Sequence, residues 1–198
     1  TVMLIGSHNS LSYNRPRQWW LHPFAWVGRC QSLAIPEQWN LGVRYFDIRV
    51  RFKGIKIISG HGLIDYDVNV IEWLGYLNRR ANSEKEKCVV RLMLETKGKK
   101  DDARFKCYVK AWKVFYPNLI FVGGLRKEPF EVIAGVDSVQ EEHCYQLFQD
   151  YSAKTWWQKL KELKFPYPRY WAKRMNEEYR QKSKDGVYTI LDFVQWQY

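Results

Sequence analysis

Seven short apolar runs rich in β-branched residues, none longer than eight residues, punctuate the chain and set its fold class. They span Val2–Ile5, Val43–Val50, Ile55–Ile58, Val89–Leu94, Leu119–Val122, Tyr145–Phe148 and Val187–Val194. Segments with helical spacing lie between several of them. Val68–Arg80 places Val70, Ile71, Leu74 and Leu77 on one face, and Asp102–Phe115 does the same with Phe105, Val109, Trp112 and Phe115. Ala153–Leu163 carries Trp156, Leu160 and Leu163 at the same interval. Strands alternating with helices of this length predict parallel β/α units. At 198 residues the chain is short for an eight-stranded barrel, which typically takes about 250. The expected fold is therefore α/β: an irregular, distorted TIM-type β/α barrel with some helices reduced or missing. Phe165–Lys184, opening F-P-Y-P-R-Y-W, has no clean strand period. No internal repeat or linker divides the chain, so a single domain over residues 1–198 is expected.

The polar residues fall at telling positions. The first run leads into Gly6-Ser7-His8-Asn9-Ser10, and the second, Y-F-D-I-R-V, puts Asp47 and Arg49 on one side because strand side chains alternate. The third leads to Ser59-Gly60-His61-Gly62. The fourth ends at Glu95, the sixth reaches Gln149-Asp150-Tyr151, and the last carries Asp192. In a parallel β/α barrel the C-terminal strand ends converge on one face, where active sites lie. Singly, each residue has a plain structural use: a hydrogen-bonding histidine, a glycine turn, a buried ion pair. Jointly, acids, bases and a cation from six runs point to a site.

Two histidines suit general acid–base catalysis near neutral pH. An arginine beside them offers a permanent, planar charge for phosphate oxygens. A carboxylate behind a histidine fixes its tautomer and stabilises its protonated form. The chain has no P-loop, no G-x-S-x-G and no H-E-x-x-H. A phosphodiester between two imidazoles and a guanidinium is what this set favours.

The net charge of +11, from 32 Lys and Arg against 21 Asp and Glu, draws the chain to an anionic partner, nucleic acid or an acidic membrane. No nucleic-acid recognition motif is present, so peripheral contact with an acidic membrane is preferred. No apolar run approaches the ~18–20 residues of a membrane span. The chain opens on an apolar run, Thr1 to Ile5, and the compartment stays open, with a secreted or periplasmic one as the expectation. Cys30, Cys88, Cys107 and Cys144 are far apart, which argues against a zinc knuckle, and Cys88 and Cys144 are expected in the core. Their even number allows disulfides without requiring them.

Three blocks in order, L-I-G-S-H-N-S, I-P-E-Q-W-N-L-G-V-R-Y-F-D-I-R-V and S-G-H-G, resemble the X-type catalytic domain of phosphatidylinositol-specific phospholipase C. L-F-Q-D-Y, P-Y-P-R-Y-W-A-K-R-M-N and Y-T-I-L-D-F-V look like the second half of its small bacterial members. The resemblance implies cleavage of an inositol phospholipid, begun by the substrate's own inositol 2-hydroxyl, giving diacylglycerol and an inositol (cyclic) phosphate. It implies that His8 takes the proton from that hydroxyl and His61 protonates the departing glycerol oxygen. Arg49 would neutralise phosphate charge, and Asp192 would orient His8. Asp47 joins this catalytic set. Asn9 stands where bacterial members carry aspartate and eukaryotic ones asparagine, so support for the second histidine from that position is not carried over. Calcium-dependent members draw oxygen ligands from positions matched by Asn9, Asp47 and Glu95, but the fourth is Arg49, a cation. The expectation is no metal cofactor, Ca²⁺ being disfavoured by Arg49, with Asn9 and Glu95 contacting substrate. Asp150, Tyr151 and Arg126, the last in G-G-L-R-K, are the further substrate-binding candidates; a plain surface arginine is the alternative for Arg126. A monomer is expected.

Of the tryptophan pairs Trp19-Trp20 and Trp156-Trp157, at least one member of each is expected in the core. Trp19 and Trp20, near Arg15 and Arg17, are the better candidates for a membrane interface. Two rivals remain: a glycerophospho- or sphingolipid phosphodiesterase on a related barrel, and a non-catalytic barrel that binds acidic membranes.

Overall fold

Side chains alternating along the strands become the two faces of one curled sheet. The computed structural model describes residues 4–96, 99–125, Arg169, Ala172, Asn176, Glu177, Gln181, Gly186 and 188–196. Its strands are β1 (Leu4–Ser7), β2 (Val43–Lys53), β3 (Lys56–His61), β4 (Ile64–Asn69), β5 (Cys88–Leu94), β6 (Leu119–Leu125) and β7 (Tyr188–Leu191). The helices are α1 (Ile35–Asn40), α2 (Val70–Glu84) and α3 (Asp102–Phe115), with 3₁₀ segments at Trp19–Val27 and Val194–Trp196. In the order β6, β5, β2, β1, β7 the strands pair side by side and parallel, forming a distorted half-barrel. The expected strand Tyr145–Phe148, the helix Ala153–Leu163 and most of Phe165–Lys184 lie outside the described residues, as does Cys144.

The expectation of uniformly parallel strands fails at β3 and β4. β2 continues past Val50, the last residue it pairs with β5, and its end at Arg51–Lys53 pairs antiparallel with β3. β4 pairs antiparallel with β3 in turn. The reversal runs through Gly54, whose φ of 59° suits glycine. Ile55, read as a strand residue, sits in this turn and is 91% exposed. β4 was missed, although I-D-Y-D-V-N alternates apolar and polar residues with period two.

One face of the parallel sheet packs on the helices. Phe46, Ile48 and Val50 of β2 and Val90, Leu92 and Leu94 of β5 share a core with Leu74 and Leu77 of α2 and Phe105 and Trp112 of α3. Trp39 of α1 stacks on Phe46, with ring centres 6.2 Å apart and planes within 5°. Two predicted face residues turn outward: Ile71 is exposed, and so is Phe115 at the last position of α3. α2 starts two residues later than expected, because Asn69 caps it by accepting from the Ile71 N–H. It also runs one turn further, burying Ala81. Between β1 and β2 no full helix forms; the six-residue α1 and a 3₁₀ segment replace it, as the shortened barrel required.

The opposite face is layered. Tyr45, Val89, Val122, Tyr188 and Ile190 form a small apolar plug. Two residues further along the same strands, Tyr45 gives way to Asp47 and then Arg49, Val89 to Arg91, and Ile190 to Asp192. Cys88 is buried as expected, and Cys30, Cys88 and Cys107 are free thiols.

β5 and β6 approach closely at Gly123, where φ is +93° and a Cβ would lie 2.3 Å from the Leu92 carbonyl oxygen. Gly123→Ala is expected to lower stability by about 2 kcal/mol or more, read as a reduced urea midpoint at unchanged slope.

Candidate active site

The inner layer above the plug is built from charge. Arg49, 4% exposed, directs both Nε and Nη2 at Asp47 Oδ2, each at 3.1 Å, and Nη1 at Glu95 Oε2 at 3.3 Å. Its Nη2 also lies 3.0 Å from His8 Nε2. Asp47 in turn accepts from the Asn9 N–H at 3.0 Å and from Arg91 Nη1 at 3.1 Å. A buried carboxylate would normally be pushed up by burial. Here Arg49 and Arg91, aided by His8 and the Asn9 amide, outweigh that and hold Asp47 well below the usual carboxylate range.

The tautomers follow from the partners. A guanidinium only donates, so the contact with His8 Nε2 requires a bare nitrogen there and places the ring's proton on Nδ1. Nδ1 then donates to Asp192 Oδ1 at 2.8 Å. Burial disfavours a charged His8, yet Asp192, through charge and hydrogen bond, overcomes it; Arg49 opposes and Asp47 assists, and the net shift is upward. His61 Nδ1 donates to the Gly28 carbonyl at 3.0 Å, which leaves its Nε2 bare in the neutral ring. Burial lowers the pKa of His61, the charges of Arg49 and His8 lower it further, and the Gly28 carbonyl and Glu95 offset only part. The two rings stand 6.4 Å apart, edge to face at 82°.

Of the sequence candidates, the fold thus brings His8, Asn9, Asp47, Arg49, His61, Glu95 and Asp192 into one cluster. His61 arrives by an unexpected route: β3 is antiparallel, and its end folds back from beyond the rim to stand beside His8. Glu95, read as a substrate contact, bonds Arg49 and accepts from the Gly62 N–H at 3.2 Å. Asn9, at φ 44°, is fully buried, and its Oδ1 has no hydrogen-bond partner among the described residues. Asp150, Tyr151, Arg126 and the pair Trp156-Trp157 lie outside the described residues. Trp19 and Trp20 both lie on the surface, 74% and 58% exposed, so neither packs in the core.

Sequence reading missed the residues that hold this cluster. Gln31, fully buried, donates from Nε2 to the carbonyls of His8 (3.0 Å) and Leu191 (2.8 Å) and accepts from the Val194 N–H at 3.1 Å. It therefore ties the strand end bearing His8 to the one bearing Asp192. Gln38 donates to the carbonyls of Ser10 and Leu33. Ser12 Oγ accepts from the N–H groups of Cys30 and Gln31. A glutamine in a loop, as Gln31, or in a six-residue helix, as Gln38, carries no periodic signal. Arg91 did carry one: a charge inside V-V-R-L-M-L, in a strand otherwise apolar. His8, Cys30 and Asp192 bring one donor atom each within 4.8 Å of one another. The His8–Asp192 hydrogen bond already engages two of the three, and burial keeps the Cys30 thiol protonated.

Because Asp47 is depressed in the fold, its contribution to stability is complete above the ordinary carboxyl range, near pH 4, and is lost as the pH falls through the folded value. Asp47→Asn should cost about 3–5 kcal/mol at pH 7, since it removes the buried carboxylate that Arg49 and Arg91 share. Denaturant titrations from pH 7 down to pH 2 should show a loss that sets in below about pH 4 and deepens to the end of the range for the parent chain, and a flatter profile for the variant.

No protein-family model and no curated protein matches the chain. Solved structures do. Phosphatidylinositol-specific phospholipase C from Listeria monocytogenes aligns with a TM-score of 0.64 at 18% identity, over 99% of this chain and 90% of that one. The Staphylococcus aureus enzyme, in a structure concerned with its membrane binding, aligns with a TM-score of 0.60 at 14% identity, over 96% of this chain and 85% of that one. A histidine-to-tyrosine variant of it gives 0.61 at 14% identity. The chain has the fold of the bacterial phosphatidylinositol-specific phospholipases C.

Proposed function

We propose that this chain is a phosphodiesterase that cleaves the glycerol–phosphate bond of an inositol phospholipid. One observation carries the reading: His8, Arg49 and His61 converge at the mouth of the half-barrel, with Asp192 behind His8. The likeness of fold to the bacterial phospholipases supports the same substrate class.

In this mechanism His8 Nε2 takes the proton of the inositol 2-hydroxyl, whose oxygen attacks the adjacent phosphorus. His61 Nε2 gives a proton to the glycerol oxygen as its bond to phosphorus breaks. The products are diacylglycerol and a cyclic inositol phosphate. Arg49 turns from its contact with His8 Nε2 to the phosphate oxygens, which frees that nitrogen to act as base. Asp192 stabilises the imidazolium that forms. Asn9, Glu95, Asp150, Tyr151 and Arg126 are the proposed contacts to the headgroup. The reaction proceeds without a metal, because Asp47 and Glu95 are already engaged by Arg49, whose charge takes the place of a cation. The exposed aromatics Trp19, Trp20 and Phe24 provide peripheral contact with a membrane.

The working form needs His8 neutral and His61 protonated, whereas the free site leans the other way, with His8 raised and His61 lowered. Only a fraction of free enzyme is then poised, and a phosphate placed near His61 corrects the balance by raising its pKa. The kcat/KM profile should be a bell whose alkaline limb belongs to the higher value, that of His8. Asp192→Asn removes the upward influence on His8 and should move that limb to lower pH.

Phosphorus NMR of the product formed from phosphatidylinositol vesicles tests the reaction itself. His8→Ala and His61→Ala should each lower kcat by about 10²–10⁴ while leaving the fold intact by circular dichroism. Arg49→Lys should lose about 10²–10³. Activity should persist in excess chelator. A strict Ca²⁺ requirement would remove the charge-neutralising role given to Arg49. Turnover of choline lipid but not inositol lipid would instead favour the sphingolipid-type rival.

A further inference from the structure

Beside the catalytic mouth lies a second, open groove of ≈ 760 Å³, lined by Arg17, Trp20, Lys53, Ile55, Lys56 and Asp65 among others. Its walls are the approach to the 3₁₀ segment Trp19–Val27 and the β2–β3 turn that overshoots the barrel rim. The first wall is fastened to β4 and the turn before it. The Arg17 N–H donates to the Asp65 carbonyl at 2.7 Å, and Pro16 bridges to Tyr66. Gln18 donates from Nε2 to the Leu63 carbonyl and accepts from the Asp65 N–H, both at 3.0 Å.

The groove holds three cations and one acid, and the acid is already neutralised. Asp65 is bound by Arg51 and by Lys53, the latter at 3.0 Å. Arg17 and Lys56 are exposed and enter no ion pair among the described residues. Two unpaired cations on facing walls are a receptor for an anion. Beside them stand two apolar side chains in water, Trp20 and the 91%-exposed Ile55. A free anion has no use for these, whereas an amphiphile meets both: its phosphate reaches the cations and its chains meet the indole and the isoleucine.

We infer that this groove takes the phosphate of a second, non-reacting anionic phospholipid and so holds the mouth against the bilayer. The inference rests on the phospholipase reading only for which way the mouth faces. Binding through the groove requires no turnover, so the two can fail separately.

The test is sedimentation with vesicles of phosphatidylcholine containing phosphatidylglycerol, an anionic lipid without inositol. The double variant Arg17→Glu/Lys56→Glu should bind at least about tenfold more weakly than the parent. The milder Arg17→Ala/Lys56→Ala, made in case charge reversal perturbs folding, should fall between them. Lys85→Glu/Lys87→Glu makes the same change in net charge at the N-terminal end of β5, remote from the mouth, and should bind like the parent. His8→Ala should also bind like the parent. Unchanged binding of both groove variants overturns the inference, as does equal weakening by the Lys85/Lys87 control, which would leave only the overall charge. Release of the protein from vesicles by millimolar inorganic phosphate or glycerol 3-phosphate at constant ionic strength would overturn it too, by assigning the groove to a free anion.

Discussion

A guanidinium enclosed in a barrel imposes obligations on everything near it. Taking Arg49 out of water carries a penalty of several kcal/mol unless its donors are met, and the chain meets them with carboxylates from two strands and an imidazole from a third. Asp47, recruited for that purpose, is itself costly to bury, and Arg91 and the Asn9 amide answer its remaining lone pairs. The ends of β1, β2 and β5 are thereby locked in register by charge. The position of His8 follows from this network as much as from its own strand. The charges that fix the position of His8 are inseparable from those that hold the strand ends together.

The backbone supplies the rest of the scaffold. Gln31 reaches His8, Leu191 and Val194 with one amide group, while the Phe193 N–H donates to the Cys30 carbonyl at 2.7 Å. The strip between the 3₁₀ segment and α1 therefore serves as a splint laid across the strand ends that carry His8 and Asp192. Function and stability draw on the same hydrogen bonds, so loss of either should be hard to separate at these positions.

Much of this was legible in advance. Period-two alternation placed Asp47 and Arg49 together, and a histidine directly after the first apolar run foretold His8. Apolar spacing found α2 and α3, with errors in the bounds of α2 and at Ile71 and Phe115, where a helix end or edge leaves the core face. Strand direction was illegible, because an apolar run reads the same whether parallel or antiparallel. β3 was consequently assigned to the barrel, although Gly54 and the mere four residues between the flanking runs marked a hairpin. Gln31, Gln38 and Ser12 were invisible for a different reason. Their importance lies in carbonyls and amides they satisfy, and main-chain groups leave no trace in a sequence.

The Gly28 carbonyl gathers the phenol of Tyr66 at 3.2 Å and the ring of His61 on a single oxygen. Which nitrogen of that imidazole is left bare is thus written into the tilt of one peptide plane, with no side chain intervening. A flip of that peptide plane, which would present an N–H in place of the oxygen, would swap donor for acceptor at the ring's outer edge. The chemistry of residue 61 is in this respect a property of main-chain geometry some thirty positions earlier, and drift in the neighbouring side chains leaves it untouched so long as that plane stays fixed.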